Sequence, residues 1–225
     1  MEKKEFPKKE ADSKPKAGIS EKVSGFSVKI FGIIKFLLGV CLLPFVYSSS
    51  VSFWNEFCLI DKQLQNNLWS GVIFFLIIYL FVWEPAVIYN KGHRLLEIFF
   101  NFFKPLVKAA PYLLPIYTIV LFILYAILAA TIKDARLIKY FIFLVGFTLA
   151  LHLVFSAKTM RSKKGDFLKG NYIFGFSFIY VLNIGVLSFC LNLIFKEFSF
   201  VNFSNDSYHI AKNIFYVIFH QLFIK

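Results

Sequence analysis

The feature that most constrains this chain is a set of apolar runs, each close to the thickness of a bilayer's hydrocarbon core. They lie at 30–47, 68–89, 112–132, 140–157 and 172–195. A helix needs about 20 apolar residues to cross ~30 Å at 1.5 Å per residue. Inside hydrocarbon every backbone N–H and C=O must be bonded within the protein, so runs of this length specify helices. The sequence therefore predicts an all-α fold, a polytopic membrane helix bundle of five spans with two amphipathic helices in the interface. Composition agrees: 58% of the 225 residues are hydrophobic, against about 45–50% in a soluble domain.

The stretches between the runs set the domain organisation. Residues 1–28 mix Lys with Glu, Asp, Pro and Ser; they hold too little apolar area to offset chain entropy and predict a disordered charged tail. The apolar run that follows is longer than a secretory signal's, so it reads as an anchoring span, bent by Pro44. Ser48, Ser49 and Ser50 read as the start of a polar loop. The membrane domain is expected over 29–196, followed by an extracytoplasmic segment, 197–225, with an amphipathic helix.

Residues 92–108 read GHRLLEIFFNFFKPLVK. Arg94, Glu97, Asn101, Lys104 and Lys108 fall on one helical face, with Leu95, Leu96, Ile98, Phe99, Phe102 and Phe103 on the other. That is the pattern of an interfacial helix, in which Arg94, Lys104 and Lys108 contact anionic lipid headgroups. Near the C-terminus, His209, Asn213, Tyr216 and His220 line one face. A second interfacial helix is expected there; a short sixth span over 208–224 is the alternative.

Net charge is +12. In a soluble protein that would suggest nucleic acid, but these cations flank apolar runs and act as topology signals, so no nucleic acid is expected. In a five-span chain the tail, the second loop and the fourth loop share one side and carry 17 Lys and Arg, while the other side carries seven. That places the N-terminus in the cytoplasm and the C-terminus outside.

Few residues could carry chemistry. Lys35, Glu84 and His152 lie inside spans at similar depth, where charge is costly. One reading is a polar layer with Lys35 bonded to Glu84. The other has both snorkelling to the headgroups and His152 making one interhelical bond, which is the commoner arrangement. Pro85 is expected to break the helix beside Glu84. Ser177, Gly185, Ser188 and Asn192 form a small and polar stripe that reads as helix packing. Cys41, Cys58 and Cys190 form no disulfide or metal motif, and no metal, cofactor or nucleophile signature is present.

The tail, the tight turn at 133–136 and the segment KAAPYLLPIY before the third run resemble the Yip-type five-span membrane proteins. The acidic tail motif of that family's eukaryotic members is missing, and the resemblance assigns no residue roles. The sequence thus points to a non-enzymatic membrane subunit or scaffold, partnered by anionic lipid and other membrane proteins. A small transporter or channel using the polar layer is the alternative, and a lipid-acting membrane enzyme is a third reading.

Overall fold

The computed structural model describes residues 17–82, 84–102, 110–131, 134, 136–162 and 172–223. They form an all-α protein. In chain order the helices are α1 (Ala17–Phe57), α2 (Lys62–Ile77) with a π-helical extension (Ile78–Val82), α3 (Ala86–Phe99), α4 (Ile116–Thr131), α5 (Leu137–Ser162), α6 (Tyr172–Ile194) and α7 (Phe200–Phe223). Four stretches are long and apolar enough to cross a bilayer: Ile30–Phe57, Lys62–Val82, Leu137–Met160 and Tyr172–Ile194.

The third expected span, 112–132, is not one continuous helix. α4 has 16 residues, only ~24 Å of helix. A separate helical turn at 110–113 precedes it, and the backbone breaks at Leu114 and Pro115. Pro115 has no N–H to donate, and Ile116 N bonds Leu114 O at 2.9 Å in place of the carbonyl one turn back.

The first span is longer than expected. α1 continues through Pro44 and the three serines to Phe57. The Ser48, Ser49 and Ser50 hydroxyls bond back to the carbonyls of Phe45 and Val46, which lets serine sit inside a helix without an unbonded polar group. The expected polar loop shrinks to a turn at 58–61. There Asp61 caps α2 by accepting from Gln63 N at 2.7 Å, and Gln65 Nε2 donates to Ile60 O at 2.7 Å. α1 starts at Ala17, inside the stretch assigned to the tail; residues 1–16 lie outside the described residues. So do 103–109, and with them Lys104 and Lys108. The amphipathic helix expected over 92–108 is seen as α3, starting earlier, at Ala86.

Packing centres on α2 and α5, which run side by side in the same direction. Phe75 meets Phe147 with ring centres 5.3 Å apart, and Tyr79 meets Phe155 at 5.8 Å. A Cβ added at Gly71 would collide with the Phe143 carbonyl, and one at Gly146 with that of Leu68. The two backbones touch there, as small residues allow in membrane helices. α4 lies on α5 through Tyr125 and Phe141, stacked at 4.3 Å. α1 lies along α6, where Ser50 Oγ and Tyr180 OH are 2.9 Å apart.

α7 does not lie across the end of the bundle, as an interfacial helix would. Glu56 accepts from Ser199 N at 2.9 Å, Phe53 meets Phe198 at 5.9 Å, and Phe45 meets Phe215 at 5.8 Å. Later residues of α7 meet earlier residues of α1, so the two helices are antiparallel neighbours. Small side chains permit this. Ser48, Ser49 and Ser52 are buried on α1, Ala211 is buried on α7, and Ser204 and Ser207 are half-buried beside it.

Candidate functional site

Three buried polar side chains, His152, Ser156 and Asn183, gather around the broken helix ahead of α4. The break releases the carbonyls of Tyr112 and Leu113 from helical bonding, and side chains from two other helices meet them. His152 Nε2 of α5 lies 3.2 Å from Tyr112 O. Asn183 Nδ2 of α6 donates to Leu113 O at 3.0 Å and to Ile179 O at 2.8 Å. Ser156 Oγ, one turn beyond His152, lies 3.5 Å from Tyr112 O, 3.4 Å from His152 Nε2 and 3.3 Å from Tyr89 OH. This is how membrane proteins keep a broken helix: polar side chains replace the lost backbone donors.

Chemistry at Ser156 follows from the tautomer of His152. A carbonyl only accepts, so His152 carries its proton on Nε2. A protonated Nε2 has no lone pair for the serine hydroxyl. In that tautomer the two side chains together cap Tyr112 O.

Lys35, Glu84 and His152 go to three separate places. Glu84 sits in the break between the π-helical segment and α3 and is ion-paired with Lys158 of α5, both exposed. Lys35 is buried on α1, its Nζ 4.4 Å from the centre of the Phe31 ring. α1 packs on α6 and α7, whereas α3 packs on α4 and α5, so Lys35 and Glu84 are on different sides of the bundle. The Lys35–Glu84 pair is therefore replaced by a Glu84–Lys158 pair; equal depth does not imply adjacent helices.

The stripe on α6 is also divided. Ser177 and Ser188 are buried, and Ser188 Oγ donates to Ile184 O at 2.8 Å. Asn192 is exposed and accepts from Phe200 N at 3.0 Å, capping α7. A Cβ on Gly185 would meet nothing within 4 Å, so close helix approach falls at Gly71 and Gly146 and not there. Neither of those glycines, nor Asn183, stood out in the sequence.

A cavity of about 570 Å³ opens beside α3, with Tyr89, Asn90, Lys91, Arg94 and Thr159 in its wall. In the same wall His93 Nδ1 lies 3.3 Å from Glu97 Oε1, and the His93 ring meets Tyr112 edge-on at 4.9 Å. Burial pushes the Tyr89 phenol above its ordinary pKa and keeps it neutral. Among the described residues no cluster of three or more His, Cys, Asp or Glu side chains is placed to hold a metal ion.

Helix lengths and apolar surfaces make this all-α chain a multi-pass membrane candidate, with four helices long and apolar enough to span a bilayer among the described residues. No family model, no curated protein and no solved structure matches the chain, so the resemblance to the Yip-type proteins gains no support from them.

Proposed function

We propose that this chain is a non-enzymatic membrane subunit that assembles with other membrane proteins through α7. The outer face of α7 carries this reading. Asn202, Asp206, His209, Asn213, Tyr216 and His220 recur at steps of four and three, and all are exposed. They lie opposite the face of Ser207 and Ala211 that turns to α1. A helix standing beside a spanning helix cannot leave such a face in hydrocarbon without a large desolvation cost, and a polar face on a partner helix removes that cost. On this reading the 110–113 turn and α4 together make a fifth crossing. α7 makes a sixth, which returns the C-terminus to the side of the N-terminal tail, the cytoplasm by Lys and Arg distribution.

The test is purification in mild detergent from the native cells, with identification of co-purifying proteins. The triple variant His209→Leu, Asn213→Leu, His220→Leu should keep its thermal unfolding transition and lose the partners. Full retention of the same partners by the variant overturns the proposal.

A further inference from the structure

We infer that the cavity beside α3 is a binding site for one phosphate-bearing anionic headgroup, that of a membrane lipid. α3 has three faces. Tyr89, Gly92 and Leu96 are buried against the bundle. Asn90, Lys91 and Arg94 are exposed and form part of the cavity wall. Leu95, Ile98 and Phe99 are exposed apolar residues on the same helix, with Ile98 at 74% and Phe99 at 71% of full exposure. The cationic wall and the apolar surface are therefore adjacent, in the order needed by an amphiphile whose head is anionic and whose chain lies along the helix.

Charge and size support the assignment. Two cations, Lys91 and Arg94, stand one turn apart on the cavity face. The wall also holds one carboxylate, Glu97, which is engaged by His93 at 3.3 Å, and this limits its repulsion of an anion. Asn90 and Thr159 add neutral polar groups to the wall. At about 570 Å³ the volume falls within the ~300–1,000 Å³ of ordinary ligand sites. The cavity lies at the end of the bundle where the second and third candidate spans finish, at Val82 and Met160, which is headgroup depth. The inference does not depend on α7 or on assembly.

The test uses the full chain in phosphatidylcholine nanodiscs doped with phosphatidylglycerol, followed by native mass spectrometry of retained lipid. Wild type should retain phosphatidylglycerol over phosphatidylcholine. The double variant Lys91→Gln, Arg94→Gln should retain it at least about tenfold more weakly. A control pair at the other end of the bundle, Lys62→Gln with Lys196→Gln, should change nothing. A second arm adds inorganic phosphate or glycerol 3-phosphate to wild type. Partial displacement only at high concentration supports a lipid whose chain also binds. Saturation by free phosphate with no phosphatidylglycerol retained overturns the lipid source. Equal retention of both lipids by wild type overturns the site without recourse to any variant. So does equal phosphatidylglycerol retention by wild type and the double variant.

Discussion

At the residue scale, two of the described glycines mark a close backbone approach between helices. Gly71 and Gly146 let α2 and α5 meet backbone to backbone, whereas Gly185 faces open space. The expected outcomes therefore diverge. Gly71→Ala should destabilise the protein by ~2–4 kcal/mol, since the new carbon meets a carbonyl that belongs to a packed helix and cannot rotate away. Gly185→Ala should be neutral or stabilising by up to ~1 kcal/mol, the ordinary helix preference for alanine. Thermal unfolding in one detergent ranks the two, and a larger loss at Gly185 contradicts the packing. The sequence pointed the other way because Gly185 shares a helical stripe with Ser177, Ser188 and Asn192, whereas Gly71 has Leu68, Phe74 and Phe75 at helical spacing and only Asn67 as a polar neighbour. Gly71 is read correctly only with knowledge of which helix lies against it. Asn183 was missed for a related reason: it falls on a different face of α6 from Ser177 and Ser188. His152 was legible as an intramembrane polar residue with one interhelical bond, but its acceptor, a carbonyl freed by Pro115, was not.

At the element scale the proline break and the polar caps form one device. Removing the His152 imidazole leaves Tyr112 O short of a donor, and His152→Ala should cost about 1–2 kcal/mol. Pro115→Ala restores the missing N–H, so the helix can continue through 114–116 and satisfy its own carbonyls. In that background His152→Ala should cost clearly less, and a double-mutant cycle in detergent measures the difference. Strict additivity would mean that His152 is not replacing a lost backbone donor. The elements were otherwise largely legible, because apolar length alone locates helices in a membrane chain. Their ends were not. The serines of α1 resemble a loop start by composition, yet their hydroxyls bond back to Phe45 and Val46 and the helix goes on. α3 was legible as amphipathic from its spacing, but Leu96, assigned to the lipid side, is buried against the bundle, since a helix beside a bundle has a third face that a two-face pattern cannot show.

At the scale of the whole molecule the path of α7 decides where the chain ends. Its 24 residues make ~36 Å of helix, enough to cross. Its contacts run from Ser199 at Glu56 to Phe215 at Phe45, so its last turns continue toward the end where α6 begins. The alternative, a helix lying flat on the outer surface, puts both of its ends outside. Two labelling positions separate these. Cys58 is exposed in the turn between α1 and α2, and Gln221 is exposed near the end of α7. With Cys41→Ala and Cys190→Ala in place, a membrane-impermeant maleimide applied to intact cells should modify Cys58. In a chain that also carries Cys58→Ala, a cysteine introduced by Gln221→Cys should react only after permeabilisation. Labelling of both from outside would lay α7 on the surface and remove the need for a partner along its polar face. Labelling of Cys58 only after permeabilisation would invert the whole bundle. The expected pattern follows from adding one antiparallel helix to α1, with the cationic tail held on the cytoplasmic side.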